Sequence, residues 1–115
     1  MSLSKLTGDQ LLFILNALAN PHRLRIVAML TESGRNYVSQ LARDIGISRP
    51  LLHMHLQKLE AAGVIRGSLE LSEDGKAMKY YSIEPFVLEL SPQRITELAR
   101  TLTAESAHPP PAGDD

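Results

Sequence analysis

Apolar residues recur along much of this chain at the spacing of helix faces. One stripe has four apolar positions at i, i+3, i+4 and i+7, namely Val38, Leu41, Ala42 and Ile45. Gly46 ends this pattern, and Ser48 is a favourable N-cap for a further helix over about residues 49–62. These two stretches therefore predict two short helices joined by a tight turn.

The helix over residues 49–62 has its own stripe, formed by Leu52, His55, Leu56 and Leu59. Its two histidines, His53 and His55, are two positions apart and so point about 200° away from each other. They cannot chelate a metal as a pair within one helix. We expect His55 to be a half-buried packing residue with one hydrogen-bond partner, facing the preceding helix. His53 is expected on the open face.

Two helices are predicted ahead of this pair. The first, over about residues 8–19, has apolar residues on more than one face, so we expect it to be buried on two sides. Asn20 and Pro21 then supply an N-cap and a proline at the first helical position. The second helix runs to about Glu32, with inward candidates at Leu24, Val27, Met29 and Leu30.

The period changes from helix to strand after Gly63. Residues 64–71 alternate in part, with Ile65, Leu69 and Leu71 on one side. An Asp-Gly turn joins them to AMKYYSI, which predicts a β-hairpin.

A last helix is predicted from the repeated cap-plus-proline start at Ser91 and Pro92. Its apolar stripe is formed by Ile95, Leu98, Ala99 and Leu102. Residues 104–115 have no periodicity and three consecutive prolines, so we expect a disordered tail there. Residues 1–103 then form one mainly α domain with a β-hairpin (α+β), in the order α-α-α-turn-α-β-β-α.

A helix pair joined by a glycine-containing turn, with a serine cap on the second helix, is typical of the helix-turn-helix. The second helix packs its stripe on the first and leaves its opposite face free for a major groove. That face carries Arg49, Pro50, Leu51, His53, Met54 and Gln57. The hairpin would be a wing whose cations contact phosphates, namely Arg66, Lys76 and Lys79. The sequence therefore predicts a winged helix-turn-helix that binds double-stranded DNA.

Charge supports this interpretation only mildly. The net charge is −1, but residues 1–83 hold ten Lys and Arg against seven Asp and Glu, and residues 84–115 hold two against six. The chain has no cysteine, which excludes disulfides and thiolate metal sites. No apolar run is long enough for a membrane span, and no signal peptide is recognisable, so we expect a cytoplasmic protein without a cofactor.

The chain resembles the ArsR-type winged-helix transcriptional repressors over about residues 10–83. The resemblance lies in ALANPHRLRIVAML, in YVSQLARDIGISRPLLHMHLQKLEAAGVI and in the hairpin ending KYYSI. It implies binding to operator DNA and repression relieved by a ligand. It also places Ser48 with the other DNA-facing residues of the recognition helix.

The resemblance further implies a homodimer whose interface is formed by the first and last helices. The first helix, which has apolar residues on more than one face, and the apolar stripe of the last helix are consistent with such an interface. The residues expected at the interface are Leu11, Leu12, Ile14, Leu15, Leu18, Ile95, Leu98, Ala99 and Leu102.

The sequence departs from the family pattern in three places. The segment YVSQLARD has none of the cysteines of the family's soft-metal sensors. The wing tip SEDGK carries Glu73 and Asp74, which phosphates would repel. Pro50 and two leucines replace small polar residues at the start of the recognition helix, so fewer direct hydrogen bonds to bases are expected.

Two alternative functions stay open. A metal-responsive repressor could use imidazole and carboxylate ligands, for which the C-terminal region offers Glu97, Glu105 and His108. A winged helix can also serve as a protein-interaction module, which the near-zero net charge would suit. No catalytic motif stands out, so an enzyme is not expected. The effector and the operator sequence are not predicted.

Overall fold

A computed structural model describes residues 6–103 of the chain, and the predicted tail at residues 104–115 lies outside them. The order of elements is α1 (Gly8–Leu18), α2 (Pro21–Ser33), β1 (Asn36–Tyr37), α3 (Val38–Ile45), α4 (Arg49–Ala61), β2 (Ile65–Leu71), β3 (Ala77–Ile83) and α5 (Pro92–Ala99). The predicted order of helices and hairpin strands is confirmed. α5 ends before Leu102, the last position of its predicted stripe.

Side-chain caps begin four of the five helices. The predicted caps are confirmed: the carboxamide oxygen of Asn20 accepts from the backbone N–H of His22 at 2.8 Å, and the hydroxyls of Ser48 and Ser91 cap α4 and α5. Gly46 ends α3 in the left-handed conformation, with φ of 82°. A residue with a Cβ would be strained there, so the glycine permits the tight turn into α4.

The hairpin belongs to a three-stranded antiparallel sheet of order β1-β3-β2. In the hairpin, Ile65 pairs with Ile83 and Leu71 with Ala77. The additional strand β1 pairs Asn36 with Tyr81. Its two residues are too few to show an alternation, so the sequence pattern did not predict it.

The core lies between α4, the N-terminal three helices and the base of the sheet. Its residues include Ile14, Ile26, Leu30, Leu41, Leu52, Leu56, Leu59, Val64, Ile65 and Tyr81. The predicted inward position of Leu24 is wrong, because Ile26 is fully buried and Leu24 is 55% exposed. Leu69 and Leu71 share a sheet face with Ile65, but they extend beyond the core and are exposed.

The first and last helices pack closely against each other. The backbone N–H of Gly8 donates to Oγ1 of Thr101 at 2.6 Å. The N–H of Thr103 donates to the carboxylate of Asp9 at 3.2 Å. A Cβ on Gly8 would stand 2.4 Å from the backbone oxygen of Leu98, so only glycine allows this approach.

His55 is buried in the stripe of α4, and its single hydrogen-bond partner comes from α2. Nε of Arg23 donates to Nδ1 of His55 at 3.0 Å. The ring of His22 lies 5.4 Å away between centroids. The expectation of one partner is confirmed and this partner comes from α2, but the side chain is buried, at 3% exposure, and not half-buried. Burial, with the charge of Arg23 and the neighbouring His22, lowers the pKa of His55 below 6.5.

The buried histidine predicts acid sensitivity of the fold. A protonated Nδ1 would carry a hydrogen toward the Nε–H of Arg23, so the folded state resists protonation. The free energy of unfolding should therefore fall as the pH drops below about 6.5, where the unfolded chain takes up the proton. Urea denaturation at neutral pH and at about pH 5.5 measures this dependence.

His55→Asn retains an acceptor near Nδ1 but does not titrate, so it should lose less stability on acidification than the wild type. His53→Asn, on the exposed face, should keep the wild-type dependence. Equal acid dependence of the wild type and His55→Asn would contradict the assignment.

Candidate nucleic-acid interface

The face of α4 opposite its buried stripe is open to solvent. Five of its side chains, together with Val38 of α3, line a shallow depression of about 470 Å³, and they are Arg49, Pro50, His53, Met54 and Gln57. The depression combines a cation, an imidazole, a carboxamide and an apolar thioether. These are groups that can meet phosphates, base edges and thymine methyl groups.

Arg49 also lines a second cleft, between the start of α4 and strand β3. Lys76 and Lys79 stand on the wing side of this cleft, which has a volume of about 490 Å³. The other lining residues are Tyr37, Val38, Ser39, Ala77 and Met78, so none of the lining residues is acidic. We call the residues Arg49, Pro50, His53, Met54, Gln57, Lys76 and Lys79 the recognition surface.

Three predicted DNA-facing residues lie apart from the recognition surface. Strand alternation places Arg66 on the sheet face opposite Lys79, where it pairs with Glu84 at 3.7 Å. The hydroxyl of Ser48 accepts from the N–H of Leu51 at 3.3 Å as the helix cap. Leu51 is exposed on the flank of α4 and lines neither cleft.

The wing tip is a tight acidic turn. The N–H of Ser72 donates to the carbonyl of Lys76 at 2.7 Å, which closes the turn. The hydroxyl of Ser72 donates to the Asp74 carboxylate and lowers the pKa of that carboxyl. Asp74 therefore stays charged near neutral pH.

The sequence analysis did not predict two features of this region. Tyr37 and Ser39 line the basic cleft because the short strand β1 places the start of α3 beside β3. The guanidinium of Arg35 bonds the carboxylate of Glu70 and lies 4.3 Å from the ring centroid of Tyr80. Arg35 thereby connects the loop after α2 to both strands of the wing and lowers the pKa of Glu70.

The residues predicted for the dimer interface divide into two groups. Leu11, Ile14 and Leu98 are buried within the protomer, and Ile14 belongs to its core. The others retain access to solvent: Leu12, Ile95 and Ala99 are exposed, and Leu15, Leu18 and Leu102 are half-buried.

Residues 6–103 contain no group of three or more His, Asp or Glu side chains arranged to hold a metal ion. Within this range Glu97 pairs with Arg94 at 3.1 Å. The other two candidate ligands, Glu105 and His108, lie outside the described residues. Across the same range, no helix combines the length and apolar character of a membrane span.

Comparisons with known proteins identify relatives of this chain. A family model for a helix-turn-helix domain matches residues 18–68. An HTH-type transcriptional regulator of Methanocaldococcus jannaschii is 33% identical over 82 residues, covering 71% of this chain and 84% of that protein. The transcriptional repressor SmtB of Mycobacterium tuberculosis is 44% identical over 54 residues, covering 47% of this chain and 39% of the repressor.

A solved structure from Mycobacterium bovis supports the same relationship. It is the homodimeric winged helix-turn-helix DNA-binding domain of a possible ArsR-family transcriptional regulator. Its TM-score is 0.58 at 29% identity, covering 65% of this chain and 64% of that one. The chain therefore belongs to the ArsR/SmtB type of helix-turn-helix transcriptional regulators.

Proposed function

We propose that this regulator is a homodimeric repressor that reads a palindromic operator with helix α4. The observation that carries the proposal is the position of Arg49, which lines both the open face of α4 and the basic cleft beside the wing. One cation at the start of the recognition helix thus joins a base-reading face to a phosphate-binding cleft.

The recognition surface offers groups suited to direct readout of base edges. Arg49 can pair with a guanine edge or a phosphate, and Gln57 and His53 offer further polar groups. Met54 offers an apolar contact for a thymine methyl. Lys76 and Lys79 reach phosphates from the wing side, while the acidic tip at Glu73 and Asp74 stays away from the DNA backbone.

Self-association is supported by the apolar surface that remains on the terminal helices. Leu12 is 41% exposed and Ile95 is 49% exposed, although both are large apolar side chains. The related M. bovis domain is homodimeric. A two-fold dimer would present two copies of α4 to half-sites about one helical turn apart. It would also double the number of protein cations that face the DNA.

Repression is proposed because the related SmtB protein is a repressor. A protein-interaction module is the competing interpretation, and salt separates the two. Binding to DNA releases condensed counterions, so its affinity falls steeply as salt rises. Recognition of a protein partner through the apolar part of this surface would depend much less on salt.

Removing the cations of the recognition surface should weaken duplex binding. We expect Arg49→Ala and Lys79→Ala each to reduce affinity about tenfold, the order of one lost charge-assisted contact. Each should also lower the slope of log affinity against log salt by about one phosphate contact. A mobility shift on the promoter DNA of the protein's own operon, repeated over a salt series, measures both.

Arg25→Ala is the matched control, because Arg25 is an exposed cation of α2 outside the recognition surface. It should bind like the wild type. If Arg49→Ala and Lys79→Ala both leave the shift unchanged, α4 and the wing do not read this DNA.

A charge on the exposed face of α1 should abolish the dimer. We expect the wild type to sediment as a dimer at micromolar concentration and Leu12→Lys to sediment as a monomer, because a buried unpaired ammonium opposes association. Leu24→Lys places the same charge on an exposed leucine of α2 and should stay dimeric. A monomeric wild type, or a dimeric Leu12→Lys, would contradict the proposed interface.

A further inference from the structure

A third cleft lies between α1, α2 and α4, away from the recognition surface. Its volume is about 350 Å³, which lies in the range of small-molecule sites. The lining residues are Phe13, Asn16, Ala17, Arg23 and Lys58. We propose that this cleft binds a small organic anion, a carboxylate with a flat apolar body.

The charge of the cleft favours an anion. Both of its ionisable side chains, Arg23 and Lys58, are cations, and no carboxylate is among the lining residues. The ion pairs found within residues 6–103 use Arg35, Arg66 and Arg94, so neither cation of the cleft is neutralised there. A half-buried guanidinium without a carboxylate partner is a strong site for a charge-assisted hydrogen bond.

Arg23 is held in place with part of its guanidinium unused. Its Nε donates to His55, and one Nη donates to the backbone oxygens of Asn16 and Ala17 at 3.2 and 3.4 Å. The other Nη makes no hydrogen bond to residues 6–103, so its two N–H groups are available to a ligand. Because the fold already fixes the side chain, a ligand meets a preorganised donor.

The apolar part of the ligand is indicated by Phe13. This side chain is 53% exposed, yet it lines the cleft beside the cations. Its ring offers a flat wall to which an aromatic or cyclic body can stack. Inorganic phosphate has no such body and would use the cations alone. The combination of two cations, a carboxamide and a ring therefore favours a small carboxylate over a simple ion.

An occupied cleft would act on the recognition helix. Lys58 lies on α4, and Arg23 is bonded to His55 of the same helix while it also holds the end of α1. A ligand bound between these cations would change the orientation of α4 relative to α1. This step rests on the proposed DNA binding, whereas the binding of the anion itself does not.

The test is a titration of the full chain, labelled with nitrogen-15, with benzoate in the absence of DNA. We expect amide shifts centred on Phe13, Asn16, Arg23 and Lys58. Benzamide, the neutral isostere, should produce none. Lys58→Gln should weaken benzoate affinity about tenfold through the loss of one charge-assisted contact. Arg25→Gln, the matched charge change on the exposed face of α2, should bind benzoate like the wild type.

Three results would overturn the proposal. If inorganic phosphate binds as tightly as benzoate, the cleft is a site for simple anions and does not recognise an aromatic carboxylate. Benzoate shifts centred on Arg49, Lys76 and Lys79 would indicate general attraction to the recognition surface. Unchanged benzoate binding in Lys58→Gln, together with a tenfold loss of duplex affinity without ligand, would make Lys58 a DNA contact. Because Lys58 is exposed, its substitution tests the cleft without threatening the fold.

Discussion

Complete burial of one face of α4 is the constraint on which the rest of the structure depends. Leu52, Leu56 and Leu59 are fully removed from water, and each contributes about 2 kcal/mol. Together they fix the rotation of the helix about its own axis. The opposite face is fixed as a consequence, since each residue turns the helix by about 100°. Arg49 and Gln57 are open to solvent because the leucines are not.

The sequence predicts this framework well, since burial of one helix face requires apolar residues at a regular helical spacing. The capped starts of α2, α4 and α5 and the turn at Gly46 were likewise predictable from local chemistry. Leu24 is one of several apolar residues of α2, and only packing shows that it lies on an uncovered side. The strand β1 depends wholly on its pairing with β3, and two residues carry no period of their own.

The grouping of the recognition surface could be predicted only in part. Arg49 follows from its position at the start of α4. Its proximity to Lys76 and Lys79 depends on the position of β3 beside the start of α4, which no local pattern encodes. The separation of Arg66 from Lys79 follows from the hairpin register, in which Leu69 and not Arg66 opposes Lys79. Choosing that register requires the exact turn, and the Asp-Gly pair alone leaves it open.

The contact between Gly8 and Thr101 joins positions 93 residues apart, close to the full length of the described chain. Closing so long a loop costs entropy before the contact returns any stability, so such contacts form late in folding. The segment from α2 to β3, by contrast, is linked through nearer neighbours. The packing of α1 against α5 is therefore complete only after both ends of the described chain have folded. During synthesis, an unfinished chain would lack the packed pair of terminal helices that the proposed dimer interface requires.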